Sequence, residues 1–110
     1  MDELELICFK MISNLGGARS MYMESIEASR KGDFQKAQDL IKEGEALRQL
    51  GHDVHFDLLT KESSGDKTAI NLLLVHAEDQ LMSAEIIQLV AEESLLTHQR
   101  IYQLEQQLAN

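Results

Sequence analysis

The sequence predicts an all-α protein, an antiparallel three-helix bundle of the spectrin-repeat type forming one domain over residues 1–110. Three observations predict it. Proline is absent, aromatic residues make up only 5%, and Ala, Leu, Glu, Gln and Lys are abundant, a mixture that favours helix over strand. Apolar residues recur every three or four positions along most of the chain. Two short clusters rich in Gly, Ser and Asp then divide it into helical segments at about 3–30, 34–60 and 67–107. A chain of 110 residues is long enough for one modest core but not for two.

The first helix carries Leu4, Ile7, Cys8, Met11, Leu15, Ala18, Tyr22 and Ile26 at helical spacing. Gly16 and Gly17 interrupt it. Each costs about 1 kcal/mol relative to Ala in a helix interior, so either the helix bends there or another backbone comes close. In "SRKGDF", residues 29–34, Gly32 is placed to stop the helix and Asp33 to cap the next. The second helix repeats Ala37, Leu40, Gly44, Leu47, Gly51, Val54 and Leu58. Its small residues at 37, 44 and 51 recur every seven, the mark of a closely approached helix pair. "KESSGDK", residues 61–67, forms the second joint, with Asp66 or Ser64 as the cap.

The third helix has two apolar stripes. One runs through Ile70, Leu73, Leu74, Ala77, Leu81, Ala84, Ile87, Ala91 and Leu95. The other runs through Ala69, Leu72, His76, Asp79, Ser83, Ile86 and Val90. A helix covering only a three-helix core needs one apolar face and shows a polar one opposite. Two apolar faces imply burial on two sides, and in so small a domain the second cover is another copy of the chain. His76 and Asp79 are therefore expected on a face between subunits.

Composition narrows the function. The formal net charge is −9, from 19 acidic and 10 basic residues, opposite in sign to what a phosphate backbone or an anionic membrane attracts. Cys8 is the only cysteine, so no intrachain disulfide forms and a cysteine-based zinc site is excluded. Its place in the apolar spacing makes it a small core residue. The longest apolar run in the third helix, Leu72 to Val75, is far short of a membrane span, and "MDELEL" is acidic where a signal peptide is basic. A cytoplasmic protein is expected. No Walker or dinucleotide phosphate loop, nucleophile elbow or EF-hand spacing occurs.

The chemistry-bearing stretch is "LLLVHAEDQLM", residues 72–82, where ionisable groups interrupt an apolar helix. Buried ionisable groups are costly unless paired, hydrogen-bonded or metal-bound. His76 and Asp79 stand three apart on one helix face. Three uses fit: Asp79 orients a nucleophilic or phosphorylatable imidazole, the pair ligates a metal, or the two simply satisfy each other. Two ligands alone make a weak metal site, but a symmetric ring of Asp79 copies supplies enough oxygens for a hard cation. His52 and His55 also lie three apart and read as solvated or capping residues whose face continues through Phe56 and Leu59. His98 reads as a surface residue.

"LLLVHAEDQLM" resembles the "HAQDHLM" hallmark of the lactose/cellobiose-type IIA components of the bacterial phosphoenolpyruvate-dependent sugar phosphotransferase system. "LGGARS" at 15–20 is similar to the "AGxARS" segment of that family, and "GDFQKAQDLIKEGEALRQLGHDVH" to its second helix with its "AHxxQ" motif. "KESSGDK" matches the Glu-x-x-Gly joint. The resemblance covers about residues 10–95 and implies a homotrimer assembled as a nine-helix bundle. It implies that His76 accepts a phosphoryl group from the histidine-containing phosphocarrier protein and passes it to a cysteine of a IIB component. That group then phosphorylates a β-linked disaccharide of the lactose, cellobiose or chitobiose class entering through a membrane permease. It implies further that copies of Asp79 gather on the threefold axis and bind one divalent cation per trimer, Mg²⁺.

Four positions depart from that pattern. The glutamine between the motif histidine and aspartate is Glu78, the second motif histidine is Gln80, and the helix-two glutamine is His55; Gly51 replaces an alanine. A glutamine amide donates to a phosphoryl oxygen, whereas an ionised glutamate only accepts and repels it. The rival reading is a divergent trimer, regulatory or structural, in which Glu78 blocks transfer or His76 is merely a satisfied interface residue.

Overall fold

The computed structural model describes residues 2–110 and consists of three helices: α1 (Glu3–Arg30), α2 (Phe34–Ser63) and α3 (Leu72–Ala109). They form an antiparallel bundle of 65 × 24 × 20 Å. Cys8, Leu58 and Leu74 meet at one end, and Ala28, Ala37 and Leu95 at the other.

Each helix start has a side-chain cap. Asp2 accepts from the Glu5 amide at 2.8 Å, Asp33 from Lys36 at 3.3 Å and Asn71 from Leu74 at 2.9 Å, each satisfying an amide that the helix itself leaves unpaired. The first joint is as the sequence predicts. Gly32 takes φ +83°, a left-handed conformation that glycine adopts without penalty, and the Asp33 amide returns to the Ala28 carbonyl at 2.9 Å.

The second joint is longer than expected. Ser64 ends α2 rather than capping α3, and Gly65 turns the chain at φ +98°. Helix α3 begins at Leu72, not near 67, because Asn71 is the capping side chain and Asp66 is not. The Asp66 amide is instead tied to the Lys61 carbonyl at 3.0 Å, closing α2. Ala69 and Ile70, assigned by spacing to the two stripes, thus precede the helix, and Ile70 is exposed.

The expected core faces are otherwise present. Met11, Leu15, Ala18 and Tyr22 of α1 are fully buried, as are Ala77, Ala84 and Ala91 of α3. Cys8 is buried too, and desolvation pushes its thiol above the ordinary 9.0, with the Glu78 and Asp2 charges adding to the effect. The heptad of small residues on α2 receives α1. A Cβ on Gly44 would lie 2.5 Å from the Tyr22 ring, and one on Gly51 would lie 2.7 Å from Leu15. Gly51 is therefore a seat for Leu15, and the alanine it replaces would meet that side chain. A Cβ on Gly17 would lie 3.1 Å from the Leu47 side chain, so a side chain rather than a backbone comes close, and α1 runs unbroken through both glycines.

At 38 residues α3 outruns its partners, and residues 100–110 are exposed, with Tyr102 set edge-on to Phe34 at 5.8 Å. The face of α3 turned away from the bundle carries Leu72, Val75, Met82, Ile86, Leu89 and Val90, all at least half exposed. Leu72, Ile86 and Val90 belong to the expected second stripe, Val75, Met82 and Leu89 widen it, and the face is left open by the described residues.

Candidate functional site

Helix geometry sorts the residues around His76. At about 100° per residue, Glu78 projects roughly 200° around α3 from His76, whereas Gln80 stands only roughly 40° away. The buried stripe of Ala77, Leu81 and Ala84 separates the two flanks. One flank meets α2: His55 Nε2 lies 2.7 Å from Glu78 Oε2, and both side chains are partly buried. The other meets α1: Arg19 donates from Nη1 to Gln80 Oε1 at 2.9 Å.

His76 and Asp79 are exposed, and among the described residues no ion pair or hydrogen bond joins them to each other or to another residue. They do not satisfy one another within the chain. Asp79 stands midway between Leu72 and Ile86, seven residues from each, within the uncovered apolar stripe. Both His76 and Asp79 thus occupy the face the sequence assigns to a subunit contact.

A single chain builds no metal site: among the described residues no three His, Cys, Asp or Glu side chains converge. The helix-two histidines are less solvated than expected. His55 is held against the Glu78 carboxylate at 2.7 Å, and the half-buried His52 leaves Nδ1 without a hydrogen-bond partner among the described residues, 3.9 Å from Asp53. His98 is half-buried, its Nδ1 2.8 Å from the Ser94 carbonyl.

Two features of the site escaped sequence reasoning. The first is that two of the departures from the family pattern, His55 and Glu78, are partners. The second is Arg19, which lies inside "LGGARS" yet has no role assigned by the sequence alone. Its sequence signal is a lone arginine amid the small and apolar positions of α1. Deeper in the bundle the Tyr22 hydroxyl donates to Gln88 at 3.1 Å. Burial raises that hydroxyl above its ordinary 10.0, with the nearby Arg48 partly opposing.

These features define a helical-bundle subunit that presents an open imidazole beside an uncovered apolar face. The chain belongs to the lactose/cellobiose-specific IIA subunits of the phosphotransferase system: the model of that family matches residues 6–99. It is 41% identical over 91 residues to the oligo-beta-mannoside-specific EIIA component of Bacillus subtilis, covering 83% of each chain. Its fold is similar to the cellobiose-specific enzyme IIA of Bacillus anthracis, with TM-score 0.90 and 30% identity, over 93% of this chain and 94% of that one. It is also similar to the chitobiose IIA protein of Escherichia coli, solved in complex with HPr, with TM-score 0.75 and 27% identity over 93% and 99% of the two chains. The chain is thus a phosphotransferase component by family, and no helix among its described residues is long and apolar enough to cross a membrane.

Proposed function

We propose that this protein is a cytoplasmic phosphohistidine carrier in which His76 takes a phosphoryl group from the histidine-containing phosphocarrier protein and hands it to a cysteine of a IIB component. The system served imports a β-linked disaccharide of the lactose, cellobiose or chitobiose class. The observation that carries the reading is the exposure of His76 on α3 within the span that matches the family.

The chemistry suits an open imidazole. A neutral ring nitrogen offers its lone pair to the phosphorus of the donor's phosphohistidine. One N–P bond forms as the other breaks, and the electron pair returns to the donor imidazole. Because the two groups are alike, protons balance without a separate base. In the next step the IIB thiolate attacks the same phosphorus, an S–P bond replaces the N–P bond, and the pair returns to His76. The protein supplies position and electrostatics, and the reactivity resides in the phosphoramidate itself.

The working unit in this reading is a homotrimer closed through the uncovered face of α3. An exposed apolar strip of this length marks an interaction surface. Asp79 fits a hard cation only in that assembly, because among the described residues of one chain no cluster of three ligand side chains forms around it. Three copies would hold Mg²⁺, which supplies positive charge against the repulsion among them.

The position of Glu78 supports transfer over the blocked reading. Glu78 is engaged by His55 on the flank away from His76. The test is incubation with phosphoenolpyruvate, enzyme I and the phosphocarrier protein, followed by intact mass. One acid-labile phosphoryl per chain, absent in His76→Ala, is expected. A wild-type chain that stays unmodified with a competent donor would sink the proposal.

A further inference from the structure

Phosphorylating His76 adds about two negative charges to a chain of net charge −9, on a helix where Glu78 and Asp79 follow at once. A cation placed near His76 would stabilise that charge, and four of the ten basic side chains are committed or remote. Arg30 and Lys31 pair with Glu27, and Lys61 with Glu3, at the ends of the bundle. Arg48 lies beside Tyr22 in the other half of the core.

Arg48 shares with Arg19 a buried Nε that lacks a partner among the described residues, but Arg19 is bonded to a residue of α3 beside His76. Arg19 is partly buried, and no carboxylate lies within ion-pair distance among the described residues. Its one hydrogen bond goes to the neutral Gln80, and its buried Nε has no partner. A guanidinium carries five donors, and a buried donor left unpaired is costly unless something else meets it. Gln80 holds this cation on the flank of α3 that His76 shares. Residues four apart on a helix have Cβ atoms about 5–6 Å apart, so Gln80, the residue that holds Arg19, sits one helical turn from the imidazole.

We propose that Arg19 is the residue that receives the phosphoryl group on His76, its free N–H groups donating to the phosphoryl oxygens while Gln80 fixes its position. The inference rests on His76 being the phosphoryl acceptor. Gln80, which stands where the resembled pattern has a histidine, offers a neutral amide oxygen that orients the guanidinium without consuming its charge. Arginine suits the role because its planar fork matches phosphate oxygens and stays charged at any working pH.

The test installs the phosphoryl group by two routes, through the phosphocarrier protein and chemically with phosphoramidate, which needs no protein partner. The readouts are the Arg19 Nε–H resonance in ¹⁵N-labelled protein and the lifetime of phosphohistidine at position 76. On phosphorylation the Arg19 resonance is expected to shift downfield, and this shift is expected to vanish in His76→Ala. Acceptance from the carrier is expected to fall on the order of 10- to 100-fold in Arg19→Gln and to be largely kept in Arg19→Lys. An Arg19 resonance that stays put while His76 carries phosphate overturns the proposal, as does an Arg19→Gln chain that accepts the group at the wild-type rate. Failure of the carrier route alone, with the shift present after phosphoramidate, counts against the proposed function and leaves Arg19 in its role.

Discussion

The pairing of His55 with Glu78 changes what the glutamate means. A carboxylate two residues from a phosphoryl acceptor reads as an obstacle in the sequence, yet here it turns toward α2 and meets an imidazole at 2.7 Å. Removing one partner leaves the other partly buried without its hydrogen bond, and solvent at this depth screens much of the Coulombic part. His55→Ala is therefore expected to lower stability by about 1 kcal/mol. In that background Glu78→Gln should add little, a coupling that chemical denaturation of the two single variants and the double variant measures directly. Function supplies the contrasting readout. Glu78→Gln alone should leave the labelling rate of His76 within about threefold, since the altered group lies on the far flank of α3 from the imidazole. A silent wild-type chain that Glu78→Gln switches on would show instead that the carboxylate blocks the site.

At the scale of the helices, two glycines make a matched pair with opposite expectations. Nothing lies within 4 Å of a Cβ on Gly16, so Gly16→Ala should stabilise α1 by about 0.5–1 kcal/mol through backbone entropy alone. At Gly44 the same methyl meets the fully buried Tyr22 ring at 2.5 Å. Overpacking of about 1–3 kcal/mol then outweighs the helix-propensity gain, so Gly44→Ala should destabilise. Thermal melts decide both, and equal effects would mean that the α1–α2 contact does not set the sign. The same glycines show which parts of the fold are legible in sequence. The seven-residue recurrence of Ala37, Gly44 and Gly51 reveals a close helix contact, because periodicity is a one-dimensional record of which face is buried. It does not reveal that Tyr22 and Leu15 fill the seats, since that depends on the register of one helix against another. The start of α3 is hidden from the sequence for a related reason. Ser64, Asp66 and Asn71 are all competent caps by composition, and the choice among them follows from where α2 closes on Gly65.

In the whole molecule the same limit separates what the sequence discloses about the site from what it hides. His76 and Asp79 share a face by helix geometry alone, whereas Arg19 with Gln80 and His55 with Glu78 come from different helices brought together by packing. The apolar face that carries Asp79 is legible too, because a helix with two stripes announces two burials, though one chain leaves the second stripe open to solvent. Closing that stripe with further copies buries Leu72 and Ile86 and brings like charges together at Asp79. Two opposing contributions then meet at one residue: apolar burial drives assembly while the carboxylates resist it unless a cation neutralises them. Asp79→Leu separates these contributions, since it removes the repulsion and extends the apolar stripe in a single change. The variant is expected to lose divalent-cation binding by calorimetry while keeping a trimer by light scattering, one that resists dissociation on dilution at least as well as the wild type. Adding a chelator should weaken the wild-type assembly and leave the variant unchanged. A wild type that scatters as a 12.4 kDa monomer at micromolar concentration would show that the open face of α3 serves some other partner. Undiminished cation binding in the variant would place the ion elsewhere and leave Asp79 as a charge that limits how tightly the subunits close.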